Sequence, residues 1–231
     1  MEGGFLTTFF LFLQKTSMKK FWVLFSLFIL PLVFYIFLSK GIYKYSNLPI
    51  LTDQVVELNE VSNSETLFKD HLSVICFLGN DINTAKGSLF NLNQTIYKRF
   101  YQKPYFQMIA VLPEGTELDY KTAIEELAAF TDISNWKFIY SNDTNIKTLF
   151  ESFDTPFQLN EYLYSENAYI IDRELRLSGR KDDEDTSDGK LYGYNMKSVA
   201  VLKNKMKDDI NIIYYQLKKS AEKEARRKRD I

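Results

Sequence analysis

Only one cysteine, Cys76, and one histidine, His71, occur in 231 residues, and 29 basic side chains face 30 acidic ones for a net charge of -1. A lone cysteine closes no disulfide within the chain and completes no two-cysteine metal or redox motif, so packing alone must hold the fold. Without net charge there is no global field to draw the chain to nucleic acid or to an anionic bilayer, and any partner must be recognised locally. No Gly-rich phosphate loop, nucleophile elbow or zinc-ligand spacing appears, so neither a cofactor nor a nucleic-acid partner is expected. Cys76 alternates within "LSVICFLG", a β-rich run in which a cysteine is expected to be a small buried hydrophobe. His71 stands just ahead of that run and reads as an exposed, structurally neutral side chain.

Apolar residues make up 45% of the chain and aromatics 16%, enough for one good-sized core. Part of this content is concentrated near the amino terminus, where "FWVLFSLFILPLVFYIFL", residues 21–38, carries no charge. At about 1.5 Å per residue this run just reaches across a hydrocarbon core of roughly 30 Å, and it is expected to be a single-pass transmembrane anchor. Pro31 is tolerable in a lipid-embedded helix, and Trp22, Tyr35 and Tyr43 lie near its ends, where aromatic rings favour the interface. Residues 1–20 form an extension, with "MKK" at Met18 an alternative start, and residues 39–47 form a polar linker. A cleaved signal peptide is the competing reading, opposed by a poor small-x-small site at Ser39 and Gly41 and by the length of the run. Lys15, Lys19 and Lys20 precede the span while Lys40 and Lys44 follow it, which leans to an amino terminus inside. The domain is then extracytoplasmic, held at the cell (inner) membrane.

Residues 48–218 alternate β-like runs with helical periodicity, the pattern of an α/β layer fold. Strands are expected at Leu51 to Leu58, Leu72 to Leu78, Phe106 to Leu112, Trp136 to Tyr140, Ala168 to Asp172 and Leu175 to Ser178. Helices are expected near Thr84 to Tyr101, Asp119 to Phe130, Asn145 to Phe153 and Asn195 to Lys218. The last carries a stripe of Val199, Leu202, Met206, Ile210, Ile213 and Leu217 fit to lie on the sheet, and residues 219–231 continue it as a charged tail whose basic end suits the helix dipole. "RKDDEDTSDGK", Arg180 to Lys190, lacks an EF-hand ligand pattern and reads as a solvated acidic loop.

Strand, turn, helix, strand, helix, strand and a terminal hairpin plus helix is a thioredoxin-like order. With a preceding membrane anchor, the chain resembles the Sco (SenC) family of cytochrome c oxidase copper chaperones over about Pro49 to Leu217. In that family a hydrophobic strand leads into Cys-x-x-x-Cys and an amphipathic helix. Here "VICFLGNDINTAKGSLFNLNQTIYKRF" supplies strand and helix, with Asp81 and Ala85 standing where the two cysteines would be. "IAVLPEGTE" keeps Pro113 of the family's Asp-Pro pair but has Leu112 before it, and "WKFIYSNDTNIKTLFESF" resembles its later strand and short helix. "YSENAYIIDRELRLSGR" preserves Tyr169, Ile170, Ile171 and Asp172 and offers Tyr164 near the position of the family's histidine ligand.

The resemblance therefore implies a Sco-like scaffold with a degenerate site at Asp81, Ala85 and Tyr164. Copper(I) prefers thiolate with imidazole, and thiol-disulfide exchange needs an accessible thiolate with a resolving partner, so a noncatalytic role is expected. A helix amino terminus suits a carboxylate, and Asp81, or Asn83 after it, is expected to cap the helix beginning near Thr84. The implied partner is a respiratory oxidase subunit or another assembly factor. Loops Leu112 to Leu118 and Phe153 to Glu166 flank the turn, and Pro113, Phe157 and Tyr162 are the candidate contact residues, unless such side chains simply fill the core. The competing function is a thiol- or metal-dependent oxidoreductase or metallochaperone with ligands relocated to Cys76 or the acidic loop.

Overall fold

The computed structural model describes residues 19–20, 22–23, 25–36 and 48–227. The expected linker, all of the extension except Lys19 and Lys20, both ends of the expected anchor and the last residues of the tail lie outside these. The chain divides into two compact units, Met1–Lys44 and Tyr45–Ile231. In the first, residues 25–36 are helical and expose large apolar side chains such as Phe28 and Phe34. Among the described residues no helix is long and apolar enough to cross a membrane.

The second unit is built on a mixed sheet. In chain order its elements are β1 (Ile50–Thr52), α1 (Leu58–Val61), β2 (Leu72–Leu78), α2 (Ile82–Leu92), β3 (Phe106–Pro113), α3 (Glu117–Phe130), β4 (Trp136–Ser141), α4 (Asp143–Glu151), β5 (Tyr164–Ile171), β6 (Leu177–Ser178) and β7 (Tyr194–Asn195). The helix α2 runs on through a π-helical turn, Asn93–Tyr97, to Lys98–Phe100. The closing helix, α5, begins as Val199–Val201, passes through a π-helical Leu202–Met206 and continues as Lys207–Arg227. Strands lie in the order β1-β6-β5-β2-β3-β4, with β7 also on β5. β2, β3 and β4 are parallel, and β5 runs antiparallel to β2. A parallel core joined through helices, then an antiparallel hairpin and a closing helix, is the thioredoxin-like arrangement.

Every residue of β2 and β3 is buried, because helices cover both faces of the sheet. The period-2 alternation sorts them: Val74, Cys76 and Leu78 join Leu89, Leu127, Met206 and Ile210 on the face of α2, α3 and α5. Ile75 and Phe77 join Leu58, Ile146, Phe150 and Tyr169 on the face of α1 and α4. On that second face Phe77, Phe150, Phe153 and Tyr169 make edge-on or tilted ring contacts, with Phe77 and Phe150 centred 5.2 Å apart.

The expected stripe on the last helix is largely the buried one: Leu202, Met206, Ile210 and Ile213 are in the core, while Val199 is exposed. Two expectations give way. The run Leu51 to Leu58 is a strand only over β1, because the buried Glu57 carboxylate accepts the N–H groups of Leu58, Phe68 and Lys69 and caps α1 instead. The closing helix starts four residues later than Asn195, because Tyr194–Asn195 pairs with Asn167 and Ala168 as β7 and Ser198 supplies the cap.

The segment Arg180 to Lys190 is also not simply a solvated loop. Arg180 grips Asp209 of α5 with two hydrogen bonds, Nε to Oδ2 at 2.8 Å and Nη2 to Oδ1 at 2.9 Å, and Tyr194 Oη donates to Asp209 Oδ2 at 2.7 Å. Lys205 Nζ meets Asp183 Oδ1 and Asp185 Oδ2, each at 2.6 Å. The side chains of Asp183 and Asp209 are only 2% exposed, so these charges are largely withdrawn from water. Burial holds the Tyr194 hydroxyl well above its ordinary pKa, and the adjoining Asp209 carboxylate adds to the effect. Burial alone would raise the Asp183 carboxyl, but its hydrogen bond from Lys205 wins and the pKa lies below the ordinary value.

Removing one partner of such a pair strands the other. Asp209→Ala should destabilise the protein by about 3 kcal/mol, read from urea unfolding. Because the Asp183 pKa is lowered on folding, its contribution is present above the ordinary carboxyl pKa of about 4 and is lost as pH falls through the folded value. Asp183→Asn should flatten that acid limb of the stability profile.

Candidate functional site

β2 delivers the chain to the sheet edge at Leu78, opposite Tyr164 at the start of β5. Gly79 follows with φ +66°, and a Cβ there would run into the carbonyl oxygen of Tyr162 and stand 2.9 Å from the Tyr164 nitrogen. Only glycine admits this approach, which lets Asn80 N donate to the Tyr162 carbonyl at 3.0 Å. From the other side the buried Tyr120 of α3 donates to the carbonyls of Leu78 and Gly79, at 2.9 and 3.0 Å. Asn160 Oδ1 accepts from the nitrogens of Tyr162 and Tyr164, holding Leu163 at φ +60°.

Asp81 closes the turn as the cap of α2, its Oδ1 accepting from Asn83 N at 3.0 Å and its Oδ2 from the Thr84 hydroxyl at 2.6 Å. Of the two candidate caps, Asp81 is the one used, and Asn83 stands in the first turn. The Thr84 hydrogen bond, above all, holds the Asp81 carboxyl below its ordinary pKa. One turn on, Ala85 is wholly buried; a further turn on, Ser88 Oγ lies 2.8 Å from Tyr164 Oη. Asp81 and Ala85 thus stand in the first turns of α2, and Tyr164, paired with Leu78 across the sheet, reaches the same helix further on at Ser88. Lys197 Nζ sits 5.7 Å from the centre of the Tyr164 ring while pairing with Glu166 at 2.6 Å. Burial raises the Tyr164 hydroxyl pKa, keeping it protonated at neutral pH.

This donor set does not fit copper(I): it offers a carboxylate, a methyl group and a phenol already engaged by Ser88, with neither thiolate nor imidazole. Cys76 is buried in mid-strand, its Sγ 3.6 Å from the Ile109 carbonyl, and burial pushes its pKa far up. The thiol is held protonated and covered, which opposes nucleophilic attack. His71 is half-buried, with Nδ1 2.9 Å from the Lys69 carbonyl, at the opposite end of β2 from Leu78.

The three candidate contact residues divide. Pro113 ends β3, is buried, and its carbonyl accepts from the Thr116 hydroxyl at 2.7 Å, so it has no surface to offer a partner. Phe157 and Tyr162 are 37% and 45% exposed. Phe157 borders a cleft of about 420 Å³ that also takes in Phe150, Leu159 and Asn160. The braces Tyr120 and Ser88 leave no mark in the sequence, since their partners lie 41 and 76 residues away; the local signals are Gly79, closing an apolar strand, and Asn160, whose side chain holds the turn that follows it.

No family model matches the chain, and no curated protein matches it. Solved structures do resemble it in shape. A member of the Sco family of cytochrome c oxidase assembly proteins, studied for a disulfide switch, has a TM-score of 0.46 and 13% identity, over 74% of this chain and 95% of its own. Copper-bound ScoI of Bradyrhizobium japonicum gives 0.41 and 12%, over 73% and 99%. The thioredoxin domain of a thiol-disulfide oxidoreductase from Bacteroides vulgatus gives 0.41 and 18%, over 74% and 99%. The thioredoxin-like assignment stands on the strand order and register themselves.

Tyr120→Phe removes the donor to two carbonyls at the turn and should cost about 1.5 kcal/mol in thermal or urea unfolding. Asp81→Ala should lower the melting temperature, and Asp81→Asn should restore part of it, since asparagine also caps. The Asp81 pKa is lowered on folding, so the difference between wild type and Asp81→Ala should shrink as pH falls below the ordinary carboxyl range.

Proposed function

We propose that the chain is a membrane-anchored, redox-inactive, Sco-like thioredoxin-fold protein that serves as a noncatalytic binding or assembly module in respiratory oxidase biogenesis. The observation that carries this reading is the turn at the start of α2: Asp81 fills the helix terminus, Ala85 and Tyr164 complete the corner, and the chain's sole thiol is buried in β2. Such a corner retains the shape of a thioredoxin-type site without a group able to carry electrons or bind a soft cation. What remains useful is surface, and the flanking loop presents Phe157 and Tyr162.

The Sco resemblance of the sequence supplies the partner class, an oxidase subunit or another assembly factor. The uncharged run of residues 21–38 supports the anchor, and the lysines around it lean to an amino terminus inside, which favours an extracytoplasmic domain at the cell membrane.

Crosslinking in intact membranes should recover oxidase or assembly components with the chain. Recovery of none, under conditions that retain known membrane complexes, overturns the partner assignment. Titration of the full chain in detergent should show no stoichiometric Cu(I) binding, and Cys76 should react with a maleimide only as fast as the protein unfolds. Tight Cu(I) binding or rapid native-state labelling would sink the noncatalytic reading. Reporter fusions after Leu38 should be active only on the extracytoplasmic side.

A further inference from the structure

We propose that the sheet edge at the carboxyl ends of β2, β3 and β4 docks a basic, apolar-anchored segment of a partner protein. This rests on the binding-module reading and specifies the chemistry of the occupant. The parallel pairing of the three strands brings the turns after Leu78, Pro113 and Ser141 to one edge, and the antiparallel β5 brings the loop before Tyr164 to the same place.

The charges on these turns are predominantly acidic. Stretches 79–84, 113–120, 141–146 and 154–164 hold seven carboxylates and neither lysine nor arginine. Residues 48–218 carry 18 basic and 26 acidic side chains, a net -8, and these stretches account for seven of those eight charges, so the near-neutral total of the chain conceals an acidic edge on an otherwise nearly balanced domain. Among the described residues none of the seven forms an ion pair with a lysine or arginine, whereas Lys86, Lys121 and Lys197 pair with Glu126, Glu125 and Glu166 elsewhere.

Local structure explains some of these acids. Asp81 caps α2, Glu117 and Asp119 lie in the first turn of α3 and Asp143 in that of α4, where the helix dipole favours a carboxylate. Asp154 follows α4 at φ +48°, a left-handed conformation that aspartate tolerates better than most residues, whereas Glu114 and Glu161 lie outside any helix and have no such reason to be there.

Nor does it explain the apolar surface among them. Leu118, in the first turn of α3, is 81% exposed, and Tyr162 and Phe157 stand across the edge from it. Beside Phe157 opens the cleft of about 420 Å³, whose one basic lining residue is Lys147. An apolar side chain entering the cleft, with cationic neighbours over Glu114, Glu117 and Glu161, satisfies both features. An anionic ligand is disfavoured by the same carboxylates.

The test uses the full chain in detergent and fluorescence anisotropy of a short synthetic peptide of lysines with two tryptophans. An equally charged peptide with alanine in place of tryptophan and a glutamate counterpart serve as controls. The lysine–tryptophan peptide should bind, about tenfold more weakly at 0.5 M than at 0.05 M salt, while both controls bind at least about tenfold more weakly. Combined Glu114→Lys, Glu117→Lys and Glu161→Lys should weaken binding by about tenfold or more, and so should Leu118→Ser with Phe157→Ser. The same reversal at Asp182, Glu184 and Asp188 should leave it unchanged, with circular dichroism confirming that every variant folds. Absence of peptide binding, equal binding of the alanine peptide, or equal loss from both charge-reversed variants overturns the proposal. If the edge-reversed chain still crosslinks to the same membrane partner as wild type, the docking edge is refuted while the binding-module reading stands.

Discussion

The contact between Gly79–Asn80 and Tyr162–Tyr164 sets the position of everything at this edge of the sheet. Its two backbones come closer than any Cβ would permit, so the absence of a side chain at Gly79 is a condition of the Asn80 hydrogen bond to Tyr162. β2 is covered on both faces and cannot tilt to relieve a clash, and Tyr120 fastens its last carbonyls from α3. Asp81, Ala85 and Tyr164 inherit their places from this joint. A chain can therefore change all three side chains, and with them its chemistry, while the corner keeps its shape.

The electrostatics of the corner survive such an exchange as well. A helix start offers partial positive charge and unpaired N–H groups, which suit a thiolate or a carboxylate alike. Asp81 satisfies them with oxygen, taking Asn83 N and the Thr84 hydroxyl, and its lowered pKa keeps it anionic through the neutral range. A carboxylate, a methyl group and a phenol carry neither the polarisability nor the reversible thiol oxidation that sulfur brings. Cys76, two residues before Leu78 and facing the α2 side of the sheet, is separated from solvent by the core that packs around it.

Much of the architecture was legible in the sequence where apolar periodicity was strong. The Leu72 to Leu78 strand has its expected bounds, β3 and β4 each run one residue further, and α2 and α3 begin two residues early. Asp81 as cap and Cys76 as core followed from local chemistry alone. The misses lie where a distant partner overrides local pattern: Glu57 turns a β-like run into a cap by reaching Phe68 and Lys69, and β7 forms because β5 is there to pair with it. The acidic loop read as solvated because its counter-charges, Lys205 on α5 and the Arg180 that binds Asp209, are fixed only by tertiary packing. Pro113 looked like a surface residue beside a turn, yet as the end of a central strand it is buried.

Net charge was the least informative reading, because a sum near zero says nothing of distribution. Inside the domain the two signs are interleaved where helices must be held: Arg180, Lys205 and Asp209 tie α5 to the loop before β7. At the carboxyl edge they are kept apart: the helix starts there account for Asp81, Glu117, Asp119 and Asp143, whereas Glu114 and Glu161 add like charge beside them that no helix terminus offsets. Membrane anchoring, in the proposed setting, makes such an edge sufficient. A tethered domain meets partners in the same bilayer at high effective concentration, so a modest and salt-sensitive contact can hold an assembly that free diffusion would not. An edge of this kind needs fixed geometry more than reactivity, and the glycine joint and its tyrosine brace supply that geometry.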